Sequence, residues 1–214
     1  GQTKHYTFTA ADLGSDTVQI VAISGGAFGT VSNVTFNSAT GSGSFDVFFS
    51  DGPANSDVLV QLQDSDGTLS NVSTVSVAIA NVVPTVSALS SSNGDILQRS
   101  LDGNVTINGA FFDPAQEHHT YTVFVDWGDG QPVESLPASA VIQLAETFLQ
   151  THHYANGGVF TITVTVQDED GGVSAQSTTT AVVTGVGVVD GTLYIIGTDG
   201  NDKVSLTYRQ NTDQ

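Results

Sequence analysis

Cysteine and methionine are absent from the sequence, and positive charge is scarce. Without cysteine the chain has no disulfide, no thiolate metal ligand and no cysteine nucleophile. The only lysines and arginines are Lys4, Arg99, Lys203 and Arg209, against 22 aspartates and glutamates, so the formal net charge is −18. This charge repels polyanions, which excludes nucleic acid and anionic membrane surfaces as partners.

Long apolar runs are also missing. No run approaches the ~20 residues that cross a bilayer, so we expect no membrane insertion. The N-terminal residues Gly1–His5 lack signal-peptide character, which favours a mature or excised piece of a larger protein. Glycine, valine, threonine and serine are abundant instead, a composition typical of strands and turns and common in secreted bacterial surface proteins. We therefore expect a bacterial protein that is extracellular, on the cell surface or secreted.

One pentapeptide occurs twice. Gln-Asp-Ser-Asp-Gly at Gln63–Gly67 returns as Gln-Asp-Glu-Asp-Gly at Gln167–Gly171. Each copy follows an alternating strand pattern and precedes a Ser/Thr-rich run, as expected for two strands joined by a loop. Asp64 and Asp168 lie 104 residues apart, about the length of one immunoglobulin-sized domain. The chain is therefore predicted to be a tandem duplication of an all-β domain.

The duplication predicts the domain boundaries. Residues 1–81 form a first, degenerate sandwich, 82–85 a short linker, 86–184 a second sandwich, and 185–214 a β-hairpin or the first turn of a calcium-repeat-like segment. The second copy opens with an additional candidate strand, within 85–104, that the first copy lacks. The first domain is therefore expected to expose an open strand edge, which is a template for a strand from another chain.

Three motifs of the second copy resemble a known domain family. Trp-Gly-Asp-Gly at Trp127–Gly130, His-x-Tyr at His152–Tyr154 and Asp-x-Asp-Gly at Asp168–Gly171, in this order, resemble the polycystic-kidney-disease (PKD) type of immunoglobulin-like domain. The first copy resembles a degenerate relative, with Ile23–Gly26 and Ser50–Asn55 in place of the first two motifs. The segment Gly191–Val204 is similar to the start of a hemolysin-type calcium-binding repeat.

The resemblance implies a fold class and a class of function. The fold is all-β, with two tandem immunoglobulin-like (PKD-type) β-sandwiches and a short C-terminal β segment. The function implied is that of a spacer, adhesive or substrate-contacting module outside the cell, sometimes with structural calcium and without catalytic activity. Trp127 shares a strand face with Val123 and Val125, which predicts a core position. The resemblance implies that His152 and Tyr154 are structural as well.

Paired carboxylates are candidate cation ligands, because a sandwich of this topology gathers several loops at one end. Oxygen ligands without thiolates suit Ca²⁺, which takes six to eight of them. The calcium site predicted at the interdomain joint comprises Asn81, Asp113, Glu117, Asp168 and Asp170. Weaker candidates are Asp12, Asp16, Asp64 and Asp66 in the first copy, Asp199, Asn201 and Asp202 near the C-terminus, and Asp126 with Asp129. In the alternative interpretation Asp-x-Asp-Gly only makes a turn, its carboxylates accepting backbone N–H groups.

Histidine pairs and catalytic motifs point to no reaction. His118–His119 and His152–His153 suggest zinc or copper, but adjacent histidines on a strand point to opposite faces, so at most a two-histidine site forms. The sequence has no Gly-x-Ser-x-Gly elbow and no phosphate-binding Gly-Lys-Ser loop, and its paired carboxylates lie in short turns without a predicted cleft. We expect neither an enzyme nor an organic cofactor.

Three functions remain open. The first is a rigid, calcium-stiffened structural or adhesive segment whose partners are neighbouring domains of the same polypeptide and a surface glycan or protein. The second is a fibre or lattice subunit, assembled when a strand such as Leu193–Gly197 or Val204–Tyr208 of one copy enters the open edge of the next. The third is a carbohydrate-contacting module, against which the few aromatic residues argue, since sugar binding favours an exposed aromatic platform.

Overall fold

The computed structural model describes residues 1–11, 16–114 and 120–207. The described residues form two compact units, whose bounds along the chain are as follows. Unit 1 contains Gly1–Thr85, Phe112–Tyr121 and Gln167–Ser174, and unit 2 contains Val86–Phe111, Thr122–Val166 and Ala175–Gln214. The described part of the chain contains no helix of the length and hydropathy needed to cross a bilayer.

Over the described residues, both units consist of β-strands, and unit 2 also has short 3₁₀ turns at Ile96–Gln98, Ala138–Ala140 and Gln143–Ala145. The first six strands are β1 (Gln2–Thr9), β2 (Val18–Ser24), β3 (Gly29–Asn37), β4 (Ser42–Phe49), β5 (Ala54–Asp64) and β6 (Ser73–Ile79). The next eight are β7 (Thr85–Ser91), β8 (Asn104–Phe112), β9 (Thr122–Asp126), β10 (Glu134–Ser135), β11 (Val141–Ile142), β12 (Thr147–His153), β13 (Gly158–Gln167) and β14 (Ser177–Val183). A last pair is β15 (Gly185–Val189) and β16 (Thr192–Ile196).

The strands β1 to β6 form two three-stranded sheets, in the orders β1-β4-β3 and β2-β5-β6. Their inward faces follow from period-two alternation, because every second residue of a strand points to the same side. The buried core of this sandwich comprises Phe45, Val47, Phe49, Val58 and Val77. Tyr6 and Phe8 of β1 pack against it from the edge of the first sheet.

The strands β7 to β14 form two four-stranded sheets, in the orders β11-β12-β8-β7 and β10-β9-β13-β14. The strands β7, β8, β12 and β11 correspond to the A-B-E-D sheet of an immunoglobulin sandwich. The strands β9, β13 and β14 correspond to its C-F-G sheet, with β10 as an extra edge strand. The sheets β1-β4-β3 and β2-β5-β6 repeat this order without an A strand. The strand order confirms the predicted fold class, all-β with tandem immunoglobulin-like sandwiches and a short β segment after them.

One chain segment, residues 85–100, lies along one edge of each sheet in the second sandwich. The strand β7 lies at the outer edge of β8, and Ser100 then forms a parallel bridge with Val183 of β14. Ser100 donates its N–H to the carbonyl of Val182 at 2.8 Å and accepts the N–H of Thr184 at 2.9 Å. In unit 1 the outer edges of β1 and β6 pair with no strand of the described chain.

The pairing of β15 with β16 determines which of the two predicted donor strands is free to pair with another chain. The candidate donor Leu193–Gly197 largely coincides with β16, which pairs with β15 along its length. Of the other candidate, residues 204–207 lie outside any strand and Tyr208 lies outside the described residues. Val204 and Leu206 are exposed.

Asp102 predicts an acid-sensitive contribution to stability. Its carboxylate accepts the side-chain N–H of Asn104 at 2.9 Å, the backbone N–H of Asn104 at 3.0 Å and the hydroxyl of Ser100 at 3.0 Å. The Asn104 side chain first, and then these other donors, lower the pKa of Asp102 to about 2, below the value of about 3.9 in an unfolded chain. A carboxylate whose pKa is lower in the folded than in the unfolded chain contributes its full stabilisation at pH values above the unfolded pKa. This stabilisation is lost as the pH falls towards 2.

We therefore expect Asp102→Asn to lower the urea midpoint at pH 6, and the difference from wild type to shrink as pH falls from about 4 to about 2. Urea unfolding across this pH range measures it. A difference that stays constant down to pH 2 would contradict the assigned role of the ionised carboxylate.

Candidate functional site

The two copies of Gln-Asp-x-Asp-Gly form the same loop. In the first, Oδ1 of Asp64 accepts the backbone N–H of Asp66 at 3.0 Å and of Thr68 at 2.8 Å. In the second, Oδ1 of Asp168 accepts the N–H of Asp170 at 3.0 Å and of Gly172 at 2.7 Å. The first aspartate of each motif therefore closes the turn with its carboxylate, as in the alternative interpretation of the sequence.

The other motif residues support the same turn. The side-chain amide of Gln63 donates to the carbonyl of Gly67 at 2.9 Å, and that of Gln167 donates to the carbonyl of Gly171 at 3.4 Å. The two glycines have φ of +86° and +84°, a left-handed conformation that glycine adopts without steric cost. The second aspartates, Asp66 and Asp170, are exposed and donate only their backbone N–H to the turn.

The second loop also holds the segment that follows the first sandwich. The side-chain amide of Asn81 donates to Oδ2 of Asp168 at 3.0 Å, so three N–H groups converge on one carboxylate that is 7% exposed. Oδ1 of Asn81 is buried and accepts no hydrogen bond. A buried acceptor without a donor costs about 1–3 kcal/mol, so this oxygen is a position where a cation or water would be stabilising.

The predicted calcium ligands are only partly brought together. Asn81 and Asp168 are in contact, and Asp170 lies two residues further along the same loop with an exposed side chain. Asp113 is 3% exposed and takes part in polar interactions, while Glu117 lies outside the described residues. Over residues 1–11, 16–114 and 120–207, no group of three or more histidine, aspartate or glutamate side chains is arranged to hold a metal.

The weaker candidate sites have partners of other kinds. Asp16 accepts a hydrogen bond from the hydroxyl of Ser65 at 3.3 Å, which places it beside the Asp64 loop, whereas Asp12 lies outside the described residues. Near the C-terminus, Asp202 accepts the backbone N–H of Thr198 at 2.9 Å. Asn201 is exposed.

Arg99 binds the C-terminal loop through Asp199 and a backbone carbonyl. Its guanidinium, in a side chain that is 12% exposed, forms an ion pair with Asp199 and donates to the carbonyl of Gly197 at 2.7 Å and of Ile96 at 2.7 Å. This role was not predicted from the sequence. The sequence does contain a signal for this ion pair, because one of only four basic residues among 22 acidic ones is expected to bind a carboxylate.

The predicted core residues form a stacked cluster in unit 2. Trp127 is 2% exposed, which leaves it no role as a sugar-binding platform, and its ring stacks on that of His152 at 4.6 Å between centroids. The ring of His152 meets Tyr154 edge-on, and Nε2 of His152 lies 3.0 Å from Oδ2 of Asp129. Burial, with the charges of Asp129 and Asp126, raises the pKa of the Tyr154 hydroxyl, which donates to the carbonyl of Trp127.

The partners of this cluster were missed in the sequence. Asp129 anchors a histidine in the structure, whereas it was a weak cation candidate. Glu134 accepts the indole N–H of Trp127 at 2.7 Å, and nothing in the local sequence marks it for that role. Of the remaining histidines in the two pairs, His153 is exposed and His118–His119 lie outside the described residues.

A groove of about 610 Å³ lies on the sheet that contains β8 and β12. Its polar side chains are Asn108, Ser139 and Thr147, and the remainder of its lining is glycine and apolar residues such as Ile142 and Leu149. The lining contains no ionisable group, so it assembles no acid, base or activated nucleophile.

No model of a known protein family matches the sequence, and no curated protein is similar to it. Among solved structures the chain is similar to the PKD domain of an M14-like peptidase from Thermoplasmatales archaeon SCGC AB-540-F20, with 17% identity and a TM-score of 0.35, over 47% of this chain and 92% of that one. It is similar to a putative membrane anchored protein from Corynebacterium diphtheriae, with 12% identity and a TM-score of 0.37, over 85% of this chain and 48% of that one. It is also similar to the D00-D0 domain of intimin, with 9% identity and a TM-score of 0.30, over 84% of this chain and 92% of that one.

The chain thus spans about half the length of the Corynebacterium structure. Similarity at these TM-scores assigns neither an activity nor a partner, and the immunoglobulin-like fold rests on the strand order described above.

The loop geometry predicts unequal roles for the aspartates. Asp168→Ala leaves three N–H groups without their acceptor in a buried loop, so we expect a loss of about 1–3 kcal/mol in the free energy of unfolding. Asp64→Ala removes an acceptor from two N–H groups of a more exposed loop, and its effect should be smaller. The exposed Asp170→Ala serves as the control, with a change within about 0.5 kcal/mol. Urea unfolding in the absence of added divalent cations measures all three, and an effect of Asp170→Ala equal to that of Asp168→Ala would contradict the assignment.

Proposed function

We propose that this chain is a non-catalytic structural segment of an extracellular bacterial surface protein, a spacer or adhesive module that holds neighbouring parts of the same polypeptide at a fixed spacing. Its overall fold supports this proposal, because immunoglobulin-like sandwiches place their sheets around a packed core and leave loops at the two ends. The acidic, cysteine-free composition is consistent with an extracellular location.

The observation that carries the proposal is the anchoring of the linker, residues 82–85 together with Asn81 directly before them. Asn81 donates to Asp168, the backbone N–H of Val82 donates to Asp51 at 2.6 Å, and the hydroxyl of Thr85 donates to the carbonyl of Phe112 at 3.2 Å. Pro84 is fully buried. A flexible linker leaves its backbone solvated and its side chains free, whereas this one is fixed at nearly every residue.

Calcium at the Asp168 loop is the finer part of the proposal. The residues present fit a hard cation in two respects: Asn81 Oδ1 is a buried oxygen that accepts no hydrogen bond, and the Asp170 carboxylate is exposed and not needed by the turn. Asp113, Asp168 and Glu117 complete the proposed oxygen set, with Asp64 and Asp66 or Asp199 and Asp202 as weaker sites. A bound Ca²⁺ would screen these carboxylates and further stiffen the linker.

Calcium binding predicts a rise in melting temperature. Binding to the folded state alone adds about 2.7 kcal/mol when free Ca²⁺ is a hundredfold above its dissociation constant, which corresponds to a rise of several degrees for a domain of this size. We expect this rise at millimolar Ca²⁺, its reversal by a chelator, and its loss in Asp170→Asn but not in Asp66→Asn. Identical melting with Ca²⁺ and with chelator would remove calcium from the proposal and leave the hydrogen-bonded linker as the only source of stiffness.

The bare edges of unit 1 favour a second candidate function, self-assembly by strand donation. The outer edges of β1 and β6 are unpaired within the described chain, and a cavity of about 200 Å³ between them is lined by Gly1, Gln2 and Lys4 on one side and by residues 77–82 on the other. Residues 204–207 supply an exposed, unpaired donor with apolar residues at alternate positions.

Strand donation predicts oligomers that form with rising protein concentration. Light scattering after size exclusion should show them for the intact chain, and Val204→Lys with Leu206→Lys should abolish them, because charges on the apolar face of the donor cannot enter the cavity. A matched variant with lysine at the exposed Ser205 and Thr207 should still assemble. A monomer at all concentrations with residues 201–214 present would refute this candidate.

A further inference from the structure

We propose that Gly172 decides which of the two repeated loops binds a linker, and that the Asp168 loop is a receptor for Asn81 because this position lacks a side chain. A Cβ built on Gly172 would lie 2.4 Å from Nδ2 of Asn81, 2.5 Å from Oδ2 of Asp168 and 2.8 Å from Cγ1 of Val83. Real Cβ atoms essentially never make contacts this short, so any side chain at residue 172 displaces the linker or the carboxylate that binds it.

The backbone conformation is not what requires glycine here. Gly171 has the left-handed φ of the turn, whereas Gly172 does not lie in that region. An alanine or threonine could adopt the backbone of residue 172 and still donate its N–H to Asp168. The requirement for glycine is therefore the space that Asn81, Val83 and the Asp168 carboxylate bound to Asn81 occupy.

The first copy of the loop provides the comparison. Thr68 stands in the position of Gly172, and its backbone N–H donates to Asp64 at 2.8 Å, as that of Gly172 does to Asp168 at 2.7 Å. The two loops thus share their turn hydrogen bonds and differ at this position by a side chain. Thr68 carries a side chain at the position that Gly172 leaves free for Asn81 and Val83, so we infer that the Asp64 loop closes a hairpin without receiving a linker in this way.

One Cβ therefore separates a loop that fixes a linker from a loop that does not. This assignment deepens the proposed spacer role by naming the surface that holds the linker and the partner it accepts, an asparagine side chain followed by a valine.

The test exchanges the residues of the two copies. Gly172→Thr and Gly172→Ala should expose Asn81–Val83, so cleavage by a protease that cuts beside valine should be about tenfold faster or more in the linker, because cleavage follows the population of the open state. Thr68→Gly is the matched control and should be cleaved at the wild-type rate. Asn81→Ala should accelerate cleavage on its own, and adding Gly172→Ala to it should have a smaller effect than Gly172→Ala has in the wild type, because both substitutions weaken the contact between Asn81 and Asp168.

Tryptophan fluorescence of Trp127 verifies that each variant is folded before cleavage is measured. Folded Gly172→Thr and Gly172→Ala proteins with wild-type cleavage would refute the assignment, and so would equal acceleration by Thr68→Gly. If the wild-type linker resists cleavage and the Gly172 variants resist it equally, the role assigned to Gly172 is wrong and the proposed spacer function is unaffected. If the wild-type linker is itself cleaved as fast as an unfolded peptide, both fail.

Discussion

The carboxylate of Asp168 is the constraint on which the linker depends. It accepts two backbone N–H groups of its own loop and the side-chain N–H of Asn81, so one buried group closes a hairpin and fixes the chain that follows the first sandwich. These contacts are coupled, because a rotation of the carboxylate that breaks one hydrogen bond weakens the others and leaves buried donors unpaired. The Asp168 carboxylate therefore fixes the conformation of both the linker and its own loop.

The same chemistry explains how so acidic a chain folds with few cations. Aspartates recur at positions where the carboxylate accepts the backbone N–H two residues further on, which stabilises a turn without a counter-charge. These pairs are Asp64 with Asp66, Asp95 with Leu97, Asp102 with Asn104, Asp126 with Gly128, Asp129 with Gln131, and Asp168 with Asp170. Six of the 22 acidic residues thus stabilise local turns. Arg99 is the contrasting case, a charge that binds a carboxylate 100 residues away.

The sequence predicted the fold more fully than the site. Strands follow from patterns among neighbouring residues, whereas the contacts of the site join residues far apart in the chain. Alternation of Ile162 and Val164 with threonines identifies a strand from neighbouring residues alone, and this strand is β13. The partner of Asp168, Asn81, lies 87 residues away in the chain. The local sequence Asp-x-Asp-Gly is the same whether its first carboxylate accepts N–H groups or binds a cation. The informative signal was the position just after the repeat, where Thr68 and Gly172 differ.

Backbone ¹⁵N relaxation measures the rigidity of the linker most directly. Order parameters near 0.85 denote a rigid backbone, and values below about 0.6 a flexible one. If the linker is fixed by Asp51, Asp168 and buried Pro84, the amides of Asn81, Val82 and Val83 should have order parameters equal to those of β5. Values in the flexible range in the wild-type protein would contradict the claim that this chain holds its linker rigid.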